Sequence, residues 1–287
     1  MKKIIFSLLC LFLIIGIYSC QKSYDPGDWS ITPYKPEPDT GGEDDGPTTT
    51  FKVMSINMNI GTTAANFDVM KDYIKEYNPD FVFLRQVDSS TNRSGKIDRP
   101  KALADALGMT SFFKKNIDYQ TGGFGNAVLS KYPIKETFGK HLSRIEGNNA
   151  ELRSIAMLKA EITTGNEVYF AGTELDPSVA DNRAVQVVDL INITDRLTAP
   201  TILVGNLNEQ ESANGPVIGY LKGSFTFGCL GTGCAWNAPK AAPNGVYDYI
   251  MFKDKESNLS IINYGTFPKS ANNFLPMVAE FRLKLKE

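Results

Sequence analysis

The chain has 287 residues, 42% hydrophobic and 22% charged, which is ordinary for a soluble globular protein. Its net charge is −2, and with no basic excess a nucleic acid is not an expected partner. One histidine, His141, is present, so a mechanism built on paired imidazoles is excluded.

The first twenty residues, "MKKIIFSLLCLFLIIGIYSC", place two lysines before an apolar run that ends at Ser19–Cys20. The run is short for a helix spanning a hydrocarbon core of about 30 Å, and it reads as a secretory signal. Its tail "IYSC" resembles a bacterial lipobox, which implies Cys20 as the lipid-modified first residue of the mature chain. The alternative is an uncleaved N-terminal anchor. Either reading puts the body outside the cytoplasm, held to a lipid membrane of the cell envelope, at the outer membrane or cell surface. Residues 21–50 carry five prolines, several acids and no apolar periodicity, the composition of a solvated linker. Cys229 and Cys234, five apart with glycines between, are a candidate disulfide in that compartment; two free thiols are the alternative. Without further Cys or His nearby they make a poor zinc site.

Residues 51–287 read as one domain. "FKVMSINM" is a buried strand, "NFDVMKDYIKEY" has helical apolar spacing stopped by Asn78–Pro79, and "DFVFLRQV" is a second buried strand. A strand–helix–strand unit of this length implies a parallel pair. "RPKALADALG" is a short helix with Gly108 past its end. "GNAVLSKYPI", "LRSIAMLKAEI" and "NEVYFAGTEL" are expected as antiparallel neighbours. Ser178 and Asp181 have capping-box spacing ahead of a helix over 179–197. "TILVGNLN", "VYDYIMF" and "PMVAEFRLKL" supply later strands. Mixed strands with helices point to an α/β or α+β layered fold.

Several apolar runs end in polar residues: Asn57 and Asn59, Arg85 and Gln86, Glu174 and Asp176, Asn206 and Asn208, Asp248, and then Asn272-Asn273-Phe274. In chain order the segments "MSINMN", "PDFVFLRQVD", "FGNAVLSKYPI", "TELD", "GNLN", "YDYI" and "NNFLPMVAEF" resemble the endonuclease/exonuclease/phosphatase superfamily, the deoxyribonuclease-I-like fold. The family reads "PDIVALQEVD", "YGNAILSRYPI", "THLD", "GDFN", "IDYI" and "SDHLPVVAEF" at the matching places. The resemblance implies a four-layer sandwich: two mixed β-sheets packed face to face, with helices outside. It also implies a divalent metal and paired His/Asp groups at one end, hydrolysing a phosphoester.

The residues that would carry that chemistry are replaced. The family's metal-binding Glu falls on Gln86, and an amide oxygen is a far weaker Mg²⁺ ligand than a carboxylate. Its first His falls on Glu174. The Asp of "GDFN" falls on Asn206, which cannot take a proton from water. The Asp and His of "SDH" fall on Asn273 and Phe274, and His141 lies in no motif that replaces them. Asn57, Asn208 and Asp248 remain. The expectation is a member that binds a ligand in the old cleft, a glycan, a phosphorylated compound or an envelope protein, without a cofactor. The alternative is a divergent phosphodiesterase or phosphatase using Mg²⁺ or Mn²⁺ on Glu174, Asp176 and Asp248. Asn57, Asn59, Arg85, Arg153, Asp176, Asn208 and Asp248 are the cleft candidates. Asn208 could equally be a plain turn former, and Arg85 a partner for Glu or Asp at the core edge. Trp236, Tyr247 and Phe274 could floor a sugar site.

Overall fold

The structure, a computed structural model, describes residues 46–59, 63–147, 150–210, 215–229 and 233–286. Cys20, the signal segment and most of the linker lie outside them. The first sheet contains β1 (Thr48–Asn57), β2 (Phe81–Ser89), β3 (Thr110–Tyr119), β4 (Gly122–Ser130), β11 (Leu259–Thr266) and β12 (Met277–Lys284), in the order β11-β12-β1-β2-β4-β3. The second contains β5 (Ile134–His141), β6 (Ser154–Thr163), β7 (Asn166–Glu174), β8 (Thr201–Asn206), β9 (Thr226–Phe227) and β10 (Asp248–Lys253), in the order β5-β6-β7-β8-β10-β9. The parallel pairs are β1–β2, joined through α1 (Ala64–Tyr77), and β7–β8, joined through α3 (Ala180–Thr194); the rest are antiparallel.

The helices close the outer faces. Phe67, Met70, Tyr73 and Ile74 of α1 and Leu103 of α2 (Arg99–Leu107) pack with Met54, Ile56 and Leu84 of the first sheet. Val187 and Leu190 of α3 and Val217 and Leu221 of α4 (Pro216–Lys222) cover the second. α1 ends at Asn78 and α2 at Gly108, both left-handed, as the Asn-Pro and C-terminal Gly signals require.

Alternation on β2 positions the site. Val82 and Leu84 face the helices, while Phe81, Phe83 and Arg85 face the second sheet. Opposite them on β7 stand Phe170, Gly172 and Glu174. Phe81 packs on Phe170 with ring centroids 5.1 Å apart. A Cβ on Gly172 would lie 2.0 Å from the Phe83 ring, so that ring rests directly on β7 backbone. Arg85 meets Glu174. Three rungs thus run from an apolar middle to a charged end.

Three expectations are corrected. "GNAVLS" is β4, between β2 and β3 in the first sheet, so it does not pair with β6, which it meets only across the sandwich; only β6 and β7 pair as expected. The capping box at Ser178 does not form: α3 has Val179 at its N-cap with no side-chain bond, and Asp176 supplies the acceptor instead. β1 begins at Thr48, inside the stretch read as linker.

Candidate functional site

Glu174, Asn206 and Asp248 end or begin the adjacent strands β7, β8 and β10, and stand in one row: Glu174 pairs with Asn206, and Asn206 with Asp248. The strands come this close because residue 205 is glycine; a Cβ there would meet the Thr173 carbonyl oxygen at 2.2 Å. Asn57 and Arg85 are register partners on β1 and β2 of the facing sheet. Arg85, Glu174, Asn206 and Asp248 are thus brought within hydrogen-bond reach of one another across the two sheets.

The chemistry of the cluster is an ion network. Arg85, 1% exposed, donates from Nε and Nη2 to Asp248 Oδ1 and Oδ2 at 3.0 and 3.3 Å, and from Nη1 to Glu174 Oε1 at 2.9 Å. Gln86 Nε2 donates to the same Glu174 oxygen at 2.6 Å, and Arg153 Nη1 to Glu174 Oε2 at 3.0 Å. Asp248 Oδ2 also accepts from Asn237 Nδ2 at 2.6 Å and from Asn206 Nδ2 at 3.4 Å. Every oxygen of both carboxylates has a donor. The Phe274 ring lies over the Arg85 guanidinium, 4.5 Å from Cζ to centroid, with Tyr247 edge-on behind it. Gln86 has φ 55°, at the irregularity in β2 between Leu84 and Val87. A non-glycine residue is held there against its preference, as happens where a site needs a side chain re-aimed.

The amides serve as turns. Asn57 Oδ1 accepts from the Asn59 amide, and Asn206 Oδ1 from the Asn208 amide. Asn208 has φ 48° and donates from Nδ2 to the Leu175 carbonyl, the conformation of a turn residue. Asn59 and Asn273 are exposed; the Asn273 carbonyl accepts from the Lys240 amide. His141 is exposed on β5, its Nε2 against the Lys115 carbonyl oxygen. Tyr249 is buried and donates to the Glu209 carbonyl. Cys229 and Cys234 are disulfide-bonded.

Asp176 is taken from the proposed cation set. Its Oδ1 accepts from the Ser178 and Val179 amides and its Oδ2 from Asn182 Nδ2, at the positive end of α3. Burial works to raise its pKa, but these hydrogen bonds outweigh it and hold the carboxyl below its ordinary range. Among the described residues no three His, Cys, Asp or Glu side chains converge on a point. A divalent cation needs unshared anionic oxygens at about 2.0–2.6 Å, and here a fixed guanidinium holds those of Glu174 and Asp248. The residues do not fit the family's metal.

Sequence reasoning missed Asn237, fully buried, which bonds Asp248 and accepts from the Tyr247 amide. It stands in a loop before "APKAAPNG" with no periodicity to expose it. It also missed Glu151, whose Oε1 lies 3.4 Å from Arg153 Nη1.

Residues 54–263 match the Endonuclease/Exonuclease/phosphatase family. The chain is 26% identical over 182 residues to the uncharacterized protein YbhP of Escherichia coli (strain K12), covering 58% of this chain and 70% of that one. Its fold is similar to an endonuclease/exonuclease/phosphatase family protein of Bacteroides thetaiotaomicron, with TM-score 0.69 and 14% identity over 84% of this chain and 98% of that one. It is also similar to a mannosyl-6-phosphatase of B. thetaiotaomicron VPI-5482, with TM-score 0.66 and 14% identity over 80% and 99%. With the two-sheet sandwich, the motifs in order and a match over most of the domain, this chain belongs to the endonuclease/exonuclease/phosphatase family.

Proposed function

We propose that this protein is a non-hydrolytic member of its family, which binds a ligand at the strand ends where its relatives place their motifs. The observation that carries the reading is Arg85, buried between Glu174 and Asp248. A guanidinium supplies positive charge to the two carboxylates, but it presents no open coordination position and generates no nucleophilic water. General acid–base help alone is worth roughly 10²–10⁴-fold, and the positions that supply it hold Asn206, Asn273 and Phe274. The same proposal holds the domain in the cell envelope through Cys20, on the strength of the N-terminal sequence. The likeness to a mannosyl-6-phosphatase makes a phosphorylated sugar the first ligand to try, and an unphosphorylated glycan the second.

Calorimetric titration with Mg²⁺, Mn²⁺ and Ca²⁺ tests the reading, alongside hydrolysis of bis(p-nitrophenyl) phosphate and mannose 6-phosphate. The expected result is no binding up to millimolar metal and no turnover above buffer. Tight metal binding that disappears in Asp248→Ala, with metal-dependent release of phosphate or nitrophenol, would restore the hydrolase.

A further inference from the structure

The second sheet is wider than the helices that cover it. Six strands at about 4.8 Å span roughly 24 Å, and two helices about 10 Å across leave the β5 margin open. There the outer face of β5 and β6 and the end of α3 enclose a cavity of 310 Å³, at the small end of ligand-binding cavities. Phe138 and Met157, which are register partners, line it with Tyr169, and Ile193 of α3 and Leu197 just beyond its end form the opposite wall. Phe138 is 40% exposed, so a large ring of this half-open apolar floor remains accessible to solvent.

The charge of the rim is one-sided. Glu136 is offset by its cross-strand partner Lys159, 3.6 Å away, and Lys159 Nζ also bonds Glu167 at 2.6 Å. Lys140, on the same face as Phe138, and Arg196, beyond α3, line the cavity too, and neither forms an ion pair among the described residues. An apolar slot of this size with two uncommitted cations at its edge complements an anion that carries a hydrocarbon tail.

We propose that this groove binds a single-chain anionic amphiphile: an alkyl chain lies along Phe138, Met157 and Ile193, and its acidic head sits against Lys140 and Arg196. The site is separate from the Arg85 network and independent of the reading given to it.

The test titrates the full chain by calorimetry with sodium dodecanoate and with dodecyltrimethylammonium bromide, each below its micelle concentration. It compares the wild type with Phe138→Asp and with Lys140→Glu/Arg196→Glu. Uptake by the N-terminal segment or its lipid is common to all three proteins and cancels when they are compared with one another. Dodecanoate is expected to saturate at one site and to bind at least tenfold more tightly than the cationic amphiphile. Two exposed charge contacts reversed in sign make a loss of about tenfold the expectation for the double variant, and Phe138→Asp should lose as much. Both sets of substitutions are at exposed positions, so thermal melting should stay unchanged. Equal affinity for the two amphiphiles, or equal dodecanoate affinity in the three proteins, overturns the proposal. Loss of binding to phosphatidylglycerol vesicles in the variants, without selective dodecanoate binding by the wild type, also overturns it, in favour of a bilayer contact.

Discussion

The Phe81–Phe170 rung and the Arg85–Glu174 rung sit on the same two strands, four residues apart on each. The first is an aromatic contact between sheets, fully buried. The second is an ion pair, just as buried. Burying the aromatic rung is favourable in itself, at about 25 cal/mol per Å² removed from water. Burying the ionic rung is costly unless every charge is met. The donors on Glu174 and Asp248 are what let a polar strand end survive inside the sandwich, and they come from Gln86, Arg153, Asn206 and Asn237 as well as Arg85. This strand end is held together by amides and guanidinium groups around its two carboxylates.

If that contrast is right, truncating either rung is severe, for different reasons. Arg85→Ala leaves two buried carboxylates without their shared cation and should lower unfolding free energy by about 3–5 kcal/mol. Phe170→Ala should lower it by a similar 3–5 kcal/mol through a cavity. Urea denaturation gives both values; added Mn²⁺ separates them. With the guanidinium gone, millimolar Mn²⁺ should recover part of the loss in Arg85→Ala, by occupying Glu174 and Asp248, and none in Phe170→Ala. An Arg85→Ala protein as stable as the wild type would mean the network is not what holds that end together.

The next effect in size tests Asp176 as a cap rather than a ligand. Asp176→Ala removes acceptors for two amides at the start of α3 and strands the buried Asn182 amide, a loss of about 1–2 kcal/mol. Because the folded carboxyl titrates below its ordinary value of 3.8, its stabilisation is present above that pH and is lost as pH falls through the lower folded value. The gap between variant and wild type should therefore be full at neutral pH and shrink in strong acid. Asn208→Ala should cost about 1 kcal/mol, since alanine resists the left-handed backbone and frees the Leu175 carbonyl. Asn208→Gly should cost less, because glycine accepts that backbone; equal losses would point to the side-chain bond alone.

The apolar rungs were legible in the sequence because period-2 and period-3.6 patterns depend only on which face is buried. β3 was not. In "TSFFKKNIDY" apolar and polar residues fail to alternate, since an edge strand is only partly covered. β11 was missed for a related reason, with an irregularity between Ile261 and Asn263 breaking its pattern. At the site, Glu174, Asn206 and Asp248 were legible as polar ends of apolar runs and stand in one row, while Asp176, expected beside them, caps α3. The reading of Arg85 as a partner for Glu or Asp holds, but no motif told that it points between the sheets and binds two carboxylates at once. That follows from its parity with Phe81 and Phe83 on β2, which is readable, and from the register of β7, β8 and β10, which is not. Asn237 was invisible because a loop residue's burial depends on what folds over it.

The smallest effect bears on how completely the charged rung is balanced. Glu151 lies beside Arg153, whose Nη1 also holds Glu174. Burial raises its pKa; Arg153 lowers it, and Glu174 and Asp176 raise it again, with a net upward shift from 4.5. A carboxyl raised in the fold binds its proton more tightly there than in the unfolded chain. It favours the native state below 4.5, and that advantage is lost as pH rises through the folded value. Glu151→Gln cannot titrate, so at pH 7 it should unfold at a higher urea concentration than the wild type. The advantage should narrow as pH falls toward 4.5. If the Glu151→Gln protein were instead less stable at pH 7, the pairing with Arg153 would outweigh the burial, and the network would extend one carboxylate further than the four charges at its centre.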